Sequence, residues 1–374
     1  MASATQGHAP RSHRPGRAMT RSLHVITTDA RRGAETFAVD LAAALNRRGD
    51  FAEVVALTSS GSATSHSVQV LGERRRSRAV LGSLRRVATE ADVVVAHGSS
   101  TLEACSVALL GSGKPFVYRN IGDPAYWGGS GWRRAAVTVM LRRSVRVAAL
   151  WPEAADDIHR RHRVPQARLD VIPNAVHEVH FSEASSHDRR HARVKLELAP
   201  DLVCLAFVGA LSPEKNLAAA IRAVASSDAV LVVAGEGSQG RDLRRMGEML
   251  APGRVRFLGQ VEDVKVVYAA ADMLVLPSRS EGMPAVVIEA ALVGTPTVAT
   301  EVGALSSMID DGVTGFLVPP GDDAAFALRV NEVLPEAGRT GQRAAQWFRG
   351  RYSIDHVAEL WAQTLELGLE GRGK

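Results

Sequence analysis

The sequence predicts an α/β protein of two doubly wound domains, each a parallel sheet covered by helices, facing each other across a cleft. Three observations carry this. The chain has 374 residues, more than one ordinary hydrophobic core sustains. Short β-rich runs alternate with helical stretches, the pattern of parallel strands joined by crossover helices. That alternation breaks once, over the polar stretch SEASSHDRRHARVKLELAP at 182–200, and then resumes.

Residues 1–21 hold four Arg, two His and no acid, without the apolar run of a signal peptide, and read as a disordered N-terminal arm. The front domain, 22–180, opens with the strand LHVITT at 23–28. The stretch AETFAVDLAAALNRRG follows, with Phe37, Leu41 and Leu45 four apart on one helical face and Gly49 as its stop. Further front strands are expected at 52–57, 92–98, 114–120, 146–150 and 169–173. Residues 181–200 read as a linker. The back domain, 201–350, carries strands at 202–210, 229–237, 254–260, 273–278 and 295–300. Helical sequence closes the chain at 323–334, 340–350 and 354–369.

Composition narrows the class. Hydrophobic residues at 46% and charged residues at 23% are those of a soluble globular protein. No run approaches the roughly 18 apolar residues of a membrane span. Two cysteines, Cys105 and Cys204, both in apolar surroundings, supply neither a zinc framework nor a disulfide scaffold and fit a reducing cytoplasm. The net charge of +5 is uneven: 22–180 has 21 basic and 15 acidic residues, and 181–374 has 20 basic and 25 acidic. A basic front half suits an anionic partner, either a phosphate-bearing acceptor or a membrane surface. The basic, partly apolar stretch GWRRAAVTVMLRRSVR at 131–146 is a candidate for peripheral contact with the inner face of an anionic membrane, or a surface helix of its own domain.

The chemistry concentrates in SRSEGMPAVVIEA at 278–290. Pro284 suits the first position of a helix, and Gly294 closes it. The N–H groups around Met283 to Val286 then lack helical partners and attract phosphate. Glu289 lies one turn in, and helical side chains lean toward the N-terminus, so its carboxylate turns back to the same end. Glu281 stands in the loop ahead. Two carboxylates for vicinal hydroxyls and unpaired amides for a diphosphate together suit a nucleotide sugar. A second signal is VGALSPEKN at 208–216, where Ser212 and Pro213 start a helix after a strand ending at Gly209. Lys215 falls in that first turn, where a cation opposes the helix dipole unless an anion pairs with it.

Front-half motifs are looser. In TTDARRGAETF, Gly33 opens a helix end, and Arg31 and Arg32 precede it, which suits contact with a donor phosphate or an acceptor. His97 ends the strand DVVVAHG at the carboxyl edge, toward the cleft. VYRNIGDPAYW places Arg119, Asn120 and Asp123 after a strand, as an acceptor wall or a structural ion pair. AGEGSQG at 234–240 spells G-x-G-x-x-G after a strand, which alone suggests a dinucleotide site. It lies in the second unit of its domain, which argues against that use.

VGALSPEKN, AGEG, FLGQVEDV, the acid pair of E-G-M-P-x4-E and VTGFLVPPGD resemble, in order and spacing, the donor half of the family 4 glycosyltransferases. RRGAETFAVDLA and VIPNAV resemble front-half elements of the same family. The resemblance covers nearly all of 22–334. It implies the GT-B fold, two Rossmann-like domains, with 351–374 a helix crossing back to the front domain. It implies a retaining hexosyltransferase acting on a hydroxyl of a cell-envelope, lipid, polysaccharide or small-molecule acceptor. The co-substrate would be GDP-mannose or a UDP-hexose, with no other cofactor, no nucleic acid and no essential metal; the sequence contains no Asp-x-Asp. Carried over by motif, Glu289 would hold the ribose hydroxyls and Glu281 the transferred sugar. Gly282, Met283, Pro284 and Ala285 would present backbone, Lys215 would neutralise the leaving diphosphate, and Gly209 and Val261 would line the donor. His97 would touch the donor sugar. His97, Lys215 and Glu281 are thus the candidate catalytic residues. The chain departs at Ala210, where the family writes arginine, leaving one cation fewer on the diphosphate. That departure keeps open a nucleotide-sugar-binding protein without transfer, and AGEGSQG keeps open an NAD-dependent oxidoreductase.

Overall fold

The computed structural model describes residues 19–62, 65–124 and 130–370. Residues 1–18, and Tyr126 and Trp127 of the proposed acceptor wall, lie outside the described residues. Arg21, counted above with the N-terminal arm, already opens the first strand.

The front sheet is parallel, in the order β3-β2-β1-β4-β5-β6-β7. Its strands are β1 (Arg21–Thr28), β2 (Phe51–Thr58), β3 (Gln69–Val70), β4 (Val93–His97), β5 (Phe116–Arg119), β6 (Arg146–Ala149) and β7 (Leu169–Val171). The back sheet runs β10-β9-β8-β11-β12-β13, again parallel throughout. Its members are β8 (Cys204–Val208), β9 (Val230–Ala234), β10 (Val255–Gly259), β11 (Met273–Leu276), β12 (Thr297–Thr300) and β13 (Phe316–Val318). Strands covered on both faces read as unbroken apolar runs, and VVVA of β4, LAFV of β8 and MLVL of β11 are buried at every residue. In each sheet the strand order reverses between two central neighbours, β1 and β4 in front and β8 and β11 behind. The crevices outside the carboxyl ends of these pairs are where such sheets take ligands.

Two strands escape the sequence reading, Gln69–Val70 and Phe316–Val318, because two or three residues carry no periodicity. The polar stretch at 182–200 is not a bare linker. It contains the helix Ser186–Lys195, started by a capping box between Ser185 and Asp188. Its anchors are polar. Arg189 pairs with Asp272 at 2.6 Å, and the buried Arg193 donates to the carbonyls of Ala199, Leu202 and Ala270. A helix held by guanidinium groups rather than an apolar face gives no hydrophobic signal.

The C-terminal helix Ile354–Glu370 packs on the front domain. Ile354, Val357, Trp361 and Leu365 join Phe37, Leu41 and Leu45 in one cluster, with ion pairs Arg47–Asp355 at 2.7 Å and Arg48–Glu359 at 3.0 Å. The helices Asp323–Val333 and Ala337–Phe348 stay with the back domain, the first capped by Asp322. The basic segment forms the helix Gly131–Arg143, which buries Leu141 and leaves Trp132 and Val139 exposed. Among the described residues no helix is long and apolar enough to cross a membrane. Cys105 and Cys204 are both buried free thiols.

Candidate functional site

The back-domain crevice is built from two loops. After β8, Pro213–Lys215 form a single 3-10 turn, Asn216 takes a left-handed conformation (φ 48°), and the helix Leu217–Ala225 follows. After β11, the loop 277–284 leads into the helix Ala285–Val293, ended by Gly294 in the left-handed region (φ 94°). Pro284 is the residue before this helix, not its first (φ −72°, ψ 118°). No side chain caps the helix; the Val287 N–H donates to the Pro284 carbonyl at 3.2 Å, and the amides of Ala285 and Val286 stay available. The loops are tied together where the Arg279 N–H donates to the Glu214 carbonyl at 2.7 Å.

Lys215 does not wait for an incoming anion. Its ammonium spans both oxygens of Glu281, at 2.7 and 2.8 Å. Ser278 donates its hydroxyl to Glu281 Oε1 at 2.6 Å. Glu281 is 8% exposed, so its charge is held by these two donors. An anion bound at Lys215 would have to compete with Glu281 for the ammonium. Ala210 is exposed beside Gly209. Arg279 is exposed at the rim of a cavity of about 540 Å³ shared with Asn216, Ser278, Thr300, Asp322 and Phe326.

Glu289 survives in an apolar helix because of Tyr268, whose hydroxyl donates to Oε2 at 2.7 Å. Burial pushes the Glu289 carboxyl up to about 7, against the opposing pull of the Tyr268 bond. Burial, then the neighbouring Glu289, raises the Tyr268 hydroxyl well above its ordinary value. Tyr268 occupies one oxygen, and Glu289 keeps part of its surface open. Val261, in the loop after β10, is half-buried.

The glycines of AGEGSQG have a structural use. A Cβ on Gly235 would lie 1.9 Å from the Gly209 carbonyl oxygen, and one on Gly237 2.4 Å from that of Leu211. The loops after β8 and β9 are stitched by Leu211 N–H to Glu236 O and Gln239 N–H to Leu211 O. Close loop packing explains this glycine pattern without a dinucleotide.

The front domain presses on the loop after β11. A Cβ on Gly282 would lie 2.3 Å from the Ile121 carbonyl oxygen. Asn174, after β7, donates its side-chain amide to the Met283 carbonyl at 2.6 Å and its backbone N–H to Met283 Sδ at 3.1 Å. From the other side the Ala304 N–H donates to the Gly282 carbonyl at 2.9 Å. Gly282 and Met283 are therefore engaged by the polypeptide, while Ala285 opens the uncapped helix.

Several front-domain expectations are corrected. His97 does not face the cleft. At 3% exposed, it lies among His24, Phe37 and Trp361, with Nε2 3.0 Å from His24 Nδ1. Burial, then His24 and Arg119, holds it well below the ordinary histidine range, so it is neutral. The strand end aims at the cleft, but the side chain falls on the face covered by the helices Gly33–Arg47 and Ile354–Glu370. Arg119 and Asn120 are likewise internal rather than part of an open wall. The Arg119 guanidinium lies 3.7 Å from the Phe37 ring centroid and donates to Asn174 Oδ1. Asn120 donates to the Gly122 carbonyl at 2.8 Å, bracing the turn. Arg31 and Arg32 are exposed, Asp123 is half-buried, and a Cβ on Gly33 would meet nothing within 4 Å. The helix Gly33–Arg47 has no side-chain cap at its N-terminus.

Tyr268, Ser278 and Asn174 went unassigned in the sequence. Ser278 and Asn174 sit inside quoted motifs, but nothing in the spacing marks Tyr268 as the partner of Glu289, 21 residues on.

Known proteins resemble this chain in sequence and in fold. Residues 203–336 match the model for Glycosyl transferases group 1, and residues 31–179 match Glycosyltransferase Family 4. The D-inositol 3-phosphate glycosyltransferase of Mycolicibacterium gilvum is 35% identical over 223 residues, covering 57% of this chain and 48% of that protein. The enzyme of the same name from Nocardia farcinica is 30% identical over 297 residues, covering 74% of this chain and 60% of the relative. The chain thus spans about half the length of the first of these relatives. Among solved structures, Anabaena HepE with UDP-glucose superposes with a TM-score of 0.82 at 21% identity, over 93% of this chain and 99% of that one. Sucrose-phosphate synthase from Thermosynechococcus elongatus gives 0.78 at 18% identity, over 92% and 98%. The chain belongs to the family 4 glycosyltransferases, with the two-domain GT-B fold.

Proposed function

We propose that this chain transfers a hexose from a nucleotide-diphosphate sugar to an acceptor hydroxyl with retained anomeric configuration. The observation that carries the reading is the Lys215–Glu281 pair beside the uncapped helix Ala285–Val293, with Glu289 one turn in. The helix amides and Lys215 suit a diphosphate, Glu289 a ribose diol, and Glu281, once released, the hexose hydroxyls. HepE, solved with UDP-glucose, supports a donor of this class, and the D-inositol 3-phosphate glycosyltransferases support glycosyl transfer. The acceptor we favour is a polyol bearing phosphate, for which the exposed Arg31 and Arg32 and the uncapped N-terminus of the helix Gly33–Arg47 offer charge and donors.

On this reading the acceptor hydroxyl attacks the anomeric carbon from the face the diphosphate leaves, and the departing phosphate oxygen takes its proton. Catalysis is then positioning and charge stabilisation, with no protein nucleophile and no metal required. A second reading, nucleotide-sugar binding without transfer, is favoured by Ala210 and by Lys215 already being neutralised. A thermal-shift panel of UDP-glucose, GDP-mannose, UDP and GDP tests the donor site, since a bound ligand raises apparent stability. Selective stabilisation by one sugar nucleotide, lost in Glu289→Ala, supports it; an unchanged shift in that variant refutes the ribose assignment. Release of nucleotide with inositol phosphate present separates transfer from binding alone.

A further inference from the structure

Arg119 is 1% exposed and its guanidinium is stacked on Phe37, so burial has reduced its freedom to one geometry. It donates to Asn174 Oδ1. A side-chain amide has one accepting and one donating end. With Oδ1 facing a guanidinium, a flipped amide would set donor against donor, so Arg119 fixes which way Asn174 points. The donating end, Nδ2, then meets the Met283 carbonyl at 2.6 Å. The Asn174 backbone N–H reaches Met283 Sδ at 3.1 Å, and Gly282 lies against the Ile121 carbonyl. All these contacts join the carboxyl ends of β5 and β7 in the front domain to two residues between Glu281 and the uncapped helix.

We propose that Arg119 and Asn174 are positioning residues. They form a latch by which the front domain sets the place of the loop Glu281–Met283 and holds the two domains in register across the cleft. Its catalytic consequence rests on the donor-site reading above: the loop that would hold the hexose is indexed to the domain that would hold the acceptor. The latch itself is a statement about the contacts.

Asn174→Asp separates a latch from a purely structural bond. The carboxylate still accepts from Arg119, now as an ion pair, but presents oxygen to the Met283 carbonyl and cannot donate. A structural role predicts equal or higher melting temperature and unchanged dynamics. The latch predicts a retained melting temperature with faster amide exchange, by about tenfold, in peptides covering 279–284 and 119–124. With UDP-glucose or GDP-mannose as probe, nucleotide release should show kcat lowered about tenfold while donor KM stays within about threefold. Asn174→Ala should give the same exchange pattern with a lower melting temperature, because Arg119 loses its partner. Unchanged exchange in both peptides of the Asp variant overturns the latch. If the wild-type chain binds neither UDP nor GDP, the donor reading fails while exchange still decides the latch.

Discussion

Tyr268 and Glu289 come from different helices, Lys265–Ala270 and Ala285–Val293, and meet in one hydrogen bond of 2.7 Å. The bond is the means by which a carboxyl group sits in AVVIEAALV. Burial alone would strip the carboxylate of its hydration, and the phenol returns one donor.

The first prediction follows from the balance at Glu289. Its folded value of about 7 lies above the unfolded carboxyl value, so between roughly pH 4.5 and 7 the native state binds the extra proton. The Glu289 contribution to stability then falls as pH rises through that window, and its full cost, on the order of 3 kcal/mol, is present above pH 7. Donor affinity moves the other way, because two diol hydroxyls need an ionised acceptor. Titration calorimetry with UDP-glucose or GDP-mannose should show affinity rising from pH 6 to 8. Glu289→Gln should remove that rise and the Glu289 contribution to the pH dependence of stability.

Lys215→Ala leaves Glu281 nearly buried with Ser278 as its remaining donor. We expect a loss of about 2–4 kcal/mol in denaturant unfolding. The Lys215→Ala and Glu281→Ala double variant should recover part of it, with a coupling of about 1–3 kcal/mol. Additive losses would mean that the two groups do not depend on each other. Transfer should drop by about 10²–10³-fold in the lysine variant, the scale of losing one transition-state donor.

Ala210→Arg tests whether the diphosphate site is short of a cation. The position is exposed, so a longer side chain is accommodated. Affinity for UDP or GDP should rise about tenfold, and affinity for uridine or guanosine should not change. An equal gain for the nucleosides would place the new arginine on the base or ribose.

Much of this was legible because it is periodic or punctuated. Apolar runs such as LHVITT and LAFV announced buried parallel strands, and Gly294 announced a helix end. The E-G-M-P-x4-E spacing marked the site because it pairs two acids with a helix start. What the sequence withheld is the direction of side chains at strand ends and the identity of polar partners. His97 and Arg119 occupy the expected edge, yet one is packed on Trp361 and the other on Phe37. Which face a strand's last residue takes depends on the helices that cover it, including one arriving more than 250 residues later. The helix Ser186–Lys195 was hidden for a similar reason, since its contacts are made by Arg189 and Arg193.

The histidine pair supplies the last prediction. His24 is held down to about 3 by burial and then by Arg119, and His97 well below its ordinary value by burial, His24 and Arg119. In the unfolded chain both rings take protons below about pH 6.5. In the native state they do not until far lower, so the unfolded state binds more protons and stability falls as pH drops below 6.5. Each ring contributes a slope approaching about 1.4 kcal/mol per pH unit in the steep region. This runs opposite to Glu289, so the two sites together confine maximum stability to mildly acidic-to-neutral pH. Urea unfolding from pH 7 to 4 should show the acid limb. His24→Asn should reduce its slope by close to one proton, because the ring that titrates in the unfolded state is gone. An acid limb of undiminished slope in that variant would assign the protons elsewhere. Glu289→Gln removes an opposing slope over roughly pH 4.5 to 7, so it should steepen the acid limb by close to one proton and abolish the fall toward pH 7.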